Sequence, residues 1–183
     1  GAIKPLFGTN PISFAWPRPG KTPVVYDMAT AAMALGDVQV AARDGKKVPE
    51  GTGLDSDGQP TIEPSAIVKG GVLLPFGGYK GSGLSMMVEL LTAGLTGETF
   101  SDETKAQDNA DGGPPIGGQF LLAMSPEIIA IDDWQQHCDL FFERISGLPG
   151  EDVRLPGERR HKNRLSDAPR KINLELLEKI ASF

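Results

Sequence analysis

The sequence of 183 residues has little sulfur and little imidazole: one cysteine, Cys138, and two histidines, His137 and His161. A single cysteine excludes an intramolecular disulfide and a zinc site built from cysteines, and two histidines exclude a three-histidine metal site. We therefore expect no metal cofactor. Disulfides persist mainly in oxidising compartments, so a chain that cannot form one internally is typical of the cytoplasm.

Long apolar runs and an excess of positive charge are also missing. No run approaches the ~18 apolar residues of a membrane helix, so we expect no membrane association. The 18 Lys and Arg residues are outnumbered by 24 Asp and Glu residues, and the net charge of −6 argues against a nucleic-acid partner. The 23 glycines and 15 prolines predict many turns, and the length predicts one main domain.

The first part of the chain predicts short strands and one early helix. Residues 8–16 are typical of a strand, a turn and a strand, and residues 23–26 form another short apolar run. The Ala, Met and Leu residues of 28–35 are strong helix formers, so we predict a helix there. Residues 46–64 are polar, which predicts a protruding loop with a hairpin turn at Asp57 and Gly58.

A glycine-rich loop at residues 77–83 separates an apolar run at 72–76 from a helical pattern that ends near Leu95. Glycines before a helix leave backbone N–H groups free to face a phosphate, and the helix dipole adds to the attraction. The spacing matches neither the Walker nor the Rossmann motif. A tight strand-to-helix turn explains the glycines equally well, and a solvent-exposed lysine explains Lys80 better than a phosphate ligand does.

The second part of the chain predicts a long connection, a strand and two helices. Residues 101–118 are acidic and rich in amides and glycine, so we predict an irregular loop. Residues 119–131 are typical of one strand with a break at its middle. A helix follows whose apolar face is formed by Trp134, Cys138, Phe141, Phe142 and Ile145. Cys138 is then a buried packing residue, and residues 174–182 predict a last helix.

A basic focus lies between these two helices. Arg154, Arg159 and Arg160 flank a Pro-Gly turn. Guanidinium groups suit phosphate oxygens and stack on flat rings such as adenine. From composition alone, arginines that face solvent or pair with carboxylates are the simpler explanation.

Few acid–base candidates stand out among the remaining residues. Asp27 and Asp37 lie beside small or apolar residues, which suits a shaped site, but a helix cap or a surface carboxylate explains each of them. His137 lies off the apolar helix face. His161 directly follows two arginines, and neither histidine is expected to act in catalysis.

Five short motifs follow one another along the chain. In order they are Gly8-Thr9-Asn10-Pro11, Asp27-Met28-Ala29-Thr30, Gly36-Asp37, Gly78-Tyr79-Lys80-Gly81 before a helix with Glu89, and Pro156-Gly157-Glu158. This order resembles the malate/L-lactate dehydrogenase family of nicotinamide enzymes, which do not use a Rossmann fold. Segments 7–46 and 153–162 are most similar to the family's imino-acid reductases. The joint order is far more specific than any single motif.

The resemblance implies a mixed α/β fold, with a largely antiparallel sheet flanked by helices. It implies an NADP-binding domain at residues 1–148 and a C-terminal arm at 149–183, which completes the cofactor site and packs on an absent N-terminal region. The family carries a Ser-His pair and a substrate-binding Arg in that region, and no Ser-His dipeptide occurs here. We therefore expect only the C-terminal half of such an enzyme, which forms a cytoplasmic homodimer.

The resemblance also implies roles for residues of this chain. Thr9 would contact the substrate carboxylate, the Leu35 and Gly36 backbone would border the substrate, and Asp37 would orient the absent histidine and stabilise its charged form. The residues that would contact the dinucleotide are Asp27, Met28, Ala29, Gly78, Tyr79, Val153, Arg154, Leu155, Pro156, Gly157, Glu158 and Arg159.

The implied chemistry is NADPH-dependent reduction of cyclic imino acids. Δ1-piperideine-2-carboxylate would give L-pipecolate, and Δ1-pyrroline-2-carboxylate would give L-proline. Arg154, Arg159 and Arg160 favour NADPH over NADH, because a 2′-phosphate adds negative charge that suits a guanidinium partner. One alternative is a NAD-dependent dehydrogenase of malate, lactate or another 2-hydroxy acid. The other is a dinucleotide-binding module without catalysis, which the isolated chain would be.

Overall fold

Short strands and helices are interspersed up to Leu73, and from Tyr79 onward the regular elements of the described residues are all helical. The computed structural model describes residues 2–107, 117–169 and 171–182. Its strands are β1 (Ile12–Trp16), β2 (Val24–Met28), β3 (Gly53–Leu54), β4 (Pro60–Thr61) and β5 (Val72–Leu73). Its helices are α1 (Leu35–Arg43), α2 (Pro64–Val68), α3 (Tyr79–Glu89), α4 (Ser101–Ala106), α5 (Pro126–Ile129), α6 (Trp134–Ser146), α7 (Glu158–Arg164) and α8 (Leu174–Ala181), and a π-helical turn at Leu90–Gly94 continues α3. The predicted mixed α/β class is confirmed.

The strands form two small sheets. β1 and β2 pair with each other, and a three-stranded sheet has the order β4-β3-β5. In that sheet Gly53 lies opposite Thr61 on one side and Leu73 on the other, and both pairings are antiparallel. The Asp55 carboxylate accepts hydrogen bonds from the backbone N–H groups of Asp57 and Gln59, both at 2.9 Å. The predicted hairpin turn is therefore confirmed.

The main apolar core lies around α1. Val38 and Ala41 are three residues apart, so they share one helix face, and they pack with Val48 and Ile67. Met33 and Leu73 cover the edge of this cluster. The core fixes α1, and with it the helix's first turn, in which Asp37 lies.

Residues 28–35 do not form the predicted helix. β2 continues to Met28, and α1 begins only at Leu35. The backbone between them bonds to neighbouring segments: Ala32 N–H donates to Leu74 O at 2.7 Å, and Ala31 forms an isolated bridge with Pro75. Helix propensity is a weak preference, and these tertiary hydrogen bonds override it.

Two further predictions need correction. The predicted irregular loop at 101–118 begins instead with α4, and residues 108–116 lie outside the described residues. Residues 127–129 belong to α5 instead of the predicted strand, because Pro126 fits the first turn of a helix and Ala130 N–H closes it on Pro126 O at 2.8 Å. Residues 117–125 have no regular secondary structure.

The chain divides into two compact units. The first comprises Gly1–Phe14 and Asp27–Ala130, and the second comprises Ala15–Tyr26 and Ile131–Phe183. The domain and arm assignment at residues 1–148 and 149–183 stays a prediction. None of the helices in the described ranges is both long and apolar enough to cross a membrane.

In the second unit, α6 forms on the predicted apolar face. Trp134 meets the Trp16 ring edge-on, with 5.6 Å between centroids, and the Arg18 guanidinium lies 4.9 Å from the Phe142 centroid. Asp139 pairs with Arg18 at 3.1 Å and with Lys21 at 2.9 Å. The hydrogen bond from Lys21 is the main reason why the pKa of Asp139 lies below its usual range, and Arg18 adds to it. Cys138 is half-buried in this helix, instead of fully buried as predicted.

Candidate functional site

Thr9 is held by its backbone in the first unit. Its carbonyl oxygen accepts two hydrogen bonds from Thr30, one from the backbone N–H at 2.8 Å and one from the hydroxyl at 3.2 Å. Thr30 is fully buried, and its hydroxyl lies 2.6 Å from that of Ser85 on α3. The hydroxyl of Thr9 itself has no hydrogen-bond partner within the described ranges. Thr9 therefore combines a fixed backbone with an available hydroxyl.

The residue after Thr9 is held by its side chain. The Asn10 amide donates to the carboxylate of Glu89 at 2.8 Å and to the Ser85 carbonyl at 3.1 Å. Glu89 also accepts hydrogen bonds from the backbone N–H of Ser101 at 3.1 Å and from the Ser101 hydroxyl. We call these six residues the Thr9 anchor: Thr9, Asn10, Thr30, Ser85, Glu89 and Ser101.

Leu35, Gly36 and Asp37 form the first turn of α1. All three are exposed, and the space around Gly36 is open. Among the described residues, none makes a hydrogen bond or ion pair with the Asp37 carboxylate. Because Val38, the next residue, is fully buried in the core, the position of Asp37 is well defined while its carboxylate stays accessible.

Asp27, Met28 and Ala29 lie at the end of β2 and just beyond it. Asp27 and Met28 are exposed, and Ala29 is half-buried next to Thr30. This segment leads directly into the Thr9 anchor, because Thr30 is the residue after Ala29.

Two glycines of the glycine-rich loop differ in their surroundings: Gly81 lies against neighbouring backbone, and Gly78 faces open space. A side chain at Gly81 would meet the Phe76 carbonyl at 2.1 Å, so that glycine permits the close approach of α3 to the preceding segment. Gly78 is the N-cap residue of α3 and has no side chain that could cap the helix. Nothing lies within 4 Å of the position that a Cβ on Gly78 would take. The ring of Tyr79 is 83% exposed. An uncapped helix N-terminus beside open space fits a phosphate group, and the exposed ring fits a flat partner.

In the second unit, residues 153–159 form a turn that we call the arginine turn. Pro156 O accepts from Val25 N–H at 3.1 Å, and a side chain at Gly157 would meet Val25 O at 2.8 Å. Leu155 is buried, and its backbone N–H donates to the Glu158 carboxylate at 3.0 Å. Glu158 and Gly157 therefore shape the arginine turn, and the backbone of this turn contacts β2 at Val25.

The basic side chains around this turn differ in what they contact. Arg154 pairs with the Asp152 carboxylate at 2.6 Å, so its charge is already shared. Arg159 is exposed, and within the described ranges it forms no hydrogen bond or ion pair. His161 Nε2 lies 3.2 Å from the Pro23 carbonyl, and His137 is exposed on α6. Arg159 is thus available to an anionic ligand, and this availability fits a phosphorylated dinucleotide.

Sequence reasoning did not place Ser85, Glu89 and Ser101 beside Thr9 and Asn10. The signal was present for Glu89, since a carboxylate between Val88 and Leu90 interrupts an apolar stretch of α3. Nothing in the sequence pairs it with Asn10, which is 79 positions away.

Residues 1–179 match the malate/L-lactate dehydrogenase family. The chain therefore belongs to this family of NAD(P)-dependent dehydrogenases. The predicted family resemblance is confirmed.

Individual relatives have more specific functional descriptions than the family has. The chain is 48% identical to a Δ1-pyrroline-2-carboxylate/Δ1-piperideine-2-carboxylate reductase of Pseudomonas syringae pv. tomato, over 99% of this chain and 54% of that protein. It is 51% identical to the enzyme of that description from Pseudomonas putida, over 90% of this chain and 48% of the relative. The chain thus spans about half the length of these curated relatives.

A solved structure agrees with these relatives. The crystal structure of Δ1-piperideine-2-carboxylate reductase from Pseudomonas syringae superposes with a TM-score of 0.86 at 47% identity, covering 100% of this chain and 55% of that one. The arrangement of elements described above is therefore that of part of such an enzyme.

Proposed function

We propose that this chain is the dinucleotide-binding part of an NADPH-dependent reductase of cyclic imino acids. Its substrates are Δ1-piperideine-2-carboxylate and Δ1-pyrroline-2-carboxylate, and its products are L-pipecolate and L-proline. The observation that carries this proposal is the 48% identity to a reductase of that description over 99% of the chain. The enzyme is proposed to act as a cytoplasmic homodimer.

The nicotinamide cofactor, when bound, supplies the hydride for the C=N carbon of the substrate. The chain's own residues bind and orient. Thr9 offers a hydroxyl that has no hydrogen-bond partner among the described residues and sits on a fixed backbone, which suits one oxygen of the substrate carboxylate. The exposed backbone of Leu35 and Gly36 borders the substrate. A hydroxyl held in place loses little freedom on binding, so it favours one substrate orientation.

Protonation of the substrate nitrogen needs an acid that the described part of this chain does not offer. His137 is exposed on α6, and His161 lies against the Pro23 carbonyl. We propose that the acid is a histidine outside this sequence and that Asp37 orients it. Its accessible carboxylate on the first turn of α1 can accept an imidazole N–H and stabilise the imidazolium.

The residues proposed to hold the dinucleotide lie in both units. In the first unit they are Asp27, Met28 and Ala29 with Gly78 and Tyr79, where the open N-terminus of α3 suits a phosphate. In the second unit they are residues 153–159. The exposed Arg159, with Arg160 and the already paired Arg154, gives the preference for the 2′-phosphate of NADPH.

A second candidate is oxidation of a 2-hydroxy acid such as malate or lactate. The family description names these substrates, and a C=O substrate offers Thr9 the carboxylate that an imino acid offers. A third candidate, cofactor binding without catalysis, describes the isolated chain.

A steady-state assay of the full-length protein separates these candidates. We expect NADPH oxidation with Δ1-piperideine-2-carboxylate and Δ1-pyrroline-2-carboxylate to exceed that with pyruvate and oxaloacetate. Activity on the keto acids alone would replace the proposal with the second candidate, and no activity on any of them would contradict both.

A further inference from the structure

We propose that Glu89 is a positioning residue for the substrate: through Asn10 it holds Thr9 so that the Thr9 hydroxyl meets the substrate carboxylate. This inference rests on the proposed function. Glu89 lies on α3, ten residues after Tyr79, and contacts neither the substrate nor the cofactor in the assignment above. It acts only through its neighbours.

The burial of Glu89 points to a specific role. The residue is 7% exposed, and its carboxylate oxygens accept hydrogen bonds from the Asn10 amide, the Ser101 backbone N–H and the Ser101 hydroxyl. Among the described residues it has no Lys or Arg partner. Burying a carboxylate is costly unless hydrogen bonds compensate, so a neutral residue would serve packing alone at lower cost.

The backbone of Asn10 shows what these hydrogen bonds achieve. Asn10 has φ 40°, in the left-handed region that residues other than glycine adopt at a cost. Its side-chain amide donates hydrogen bonds to two residues of α3, to the Ser85 carbonyl and to the Glu89 carboxylate. The hydrogen bonds therefore help to hold Asn10 in this backbone conformation.

Thr9 lies between this turn and a second clamp. Its carbonyl is fixed by Thr30, and Thr30 is fixed by Ser85. With the carbonyl held on one side and Asn10 on the other, the backbone of Thr9 has little freedom. Its hydroxyl is the one polar side-chain group of the Thr9 anchor without a partner in the described ranges, so it is free for a ligand.

The test uses Glu89→Gln in the full-length protein. The amide keeps the size of the side chain but replaces one acceptor oxygen by a donor, which opposes the donors of Asn10 and Ser101. We expect KM for Δ1-piperideine-2-carboxylate to rise roughly tenfold, with the Kd for NADPH changed less than about twofold. Glu63→Gln is the matched control, because Glu63 is exposed and its one ion-pair partner in the described part of the chain is the exposed Lys47, at 3.1 Å.

A double-mutant cycle separates positioning from simple stability. If Glu89 acts through Thr9, then Glu89→Gln adds little to the KM of a Thr9→Ala protein. If the separate effects of Glu89→Gln and Thr9→Ala on KM multiply in the double variant, the inference is wrong. An unchanged KM in Glu89→Gln would also overturn it. If Glu89→Gln fails to fold, Asn10→Gly replaces it: glycine tolerates φ 40° but removes the amide, and a rise in KM is again expected.

A binding measurement keeps this inference distinct from the proposed reaction. Pyrrole-2-carboxylate carries the ring carboxylate but no reducible imine, so its Kd in the presence of NADP⁺ reads the Thr9 contact without turnover. We expect that Kd to rise in Glu89→Gln and in Thr9→Ala. An unchanged Kd overturns the positioning role even if the enzyme reduces imino acids, whereas a raised Kd in a protein that reduces none overturns the proposed function alone.

Discussion

The two compact units hold their candidate ligand-binding residues by different means. In the first unit, buried side chains fix the backbone of Thr9, and Glu89, Ser85 and Thr30 are at most 7% exposed. In the second unit, the arginine turn is fixed by close backbone contact between Gly157 and Val25, and Arg159 remains in solvent. Substitutions in the first unit should therefore alter substrate binding or catalysis, whereas charge changes in the second should alter cofactor choice with little loss of stability.

The largest effect is expected from Asp37→Asn in the full-length protein. An amide in place of the carboxylate cannot stabilise an imidazolium, so kcat should fall about 1,000-fold while the Kd for NADPH stays unchanged. Asp44→Asn is the control, since Asp44 lies just beyond the other end of α1 and pairs with Arg43 and Lys46. A fall in kcat of less than about tenfold would contradict the role of Asp37.

The next effect concerns the charges of the second unit. Replacing Arg159 and Arg160 together by Ala should reduce the preference for NADPH over NADH roughly 10- to 100-fold, because charge-assisted hydrogen bonds to the 2′-phosphate are lost. The ratio of Kd values for the two cofactors measures it. Arg164→Ala, at the far end of α7, should leave the ratio unchanged. If the double variant kept the preference of the unsubstituted protein for NADPH over NADH, the assignment of Arg159 and Arg160 to the 2′-phosphate would be wrong.

Gly157→Ala tests the backbone contact of the arginine turn. Its φ of 91° strains any L side chain, and the new Cβ meets Val25 O at 2.8 Å, so a loss of about 2–3 kcal/mol is expected from chemical denaturation. Gly20→Ala in the same unit has φ 70° with open space around it and should lose only about 1 kcal/mol. Equal losses would show that the contact with Val25 does not constrain the turn.

The smallest effect concerns the pH dependence of stability that arises from the ion pairs of Asp139 with Arg18 and Lys21. The hydrogen bond from Lys21, supported by Arg18, lowers the pKa of Asp139 in the folded chain relative to the unfolded chain. The stabilisation is therefore present above the unfolded pKa of about 3.9 and is lost as the pH falls through the lower folded value. Asp139→Asn should reduce the fall in Tm between about pH 7 and about pH 3 slightly. Asp132→Asn, also exposed in this unit, should not.

Local patterns in the sequence predicted some elements because local forces determine them. The apolar spacing of Trp134 to Ile145 predicted α6, and the Asp57-Gly58 pair predicted the hairpin turn. The helix predicted at residues 174–182 is present as α8, whose Asn173 cap accepts from Leu176 N–H at 3.2 Å. For the hairpin turn and the cap of α8, the stabilising hydrogen bonds lie within a few residues.

Elements fixed by distant contacts were predicted wrongly or missed. Residues 28–35 have high helix propensity, but hydrogen bonds to Thr9, Leu74 and Phe76 keep residues 30–32 out of a helix. The motif order located Thr9 and Asp37, since motifs are local, but the Glu89–Asn10 contact joins residues that only the fold brings together. The roles of all these residues remain predictions until the variants are measured.

Titration of this chain with NADPH tests the central claim, that its residues bind the dinucleotide although it spans about half of its relatives. Fluorescence of Trp16 and Trp134, or calorimetry, gives the Kd. We predict saturable binding, at least about tenfold tighter for NADPH than for NADH, and no NADPH oxidation when Δ1-piperideine-2-carboxylate is added. No binding by this chain under conditions in which the full-length protein binds NADPH would contradict the claim, and turnover by this chain alone would contradict the histidine donor placed outside it.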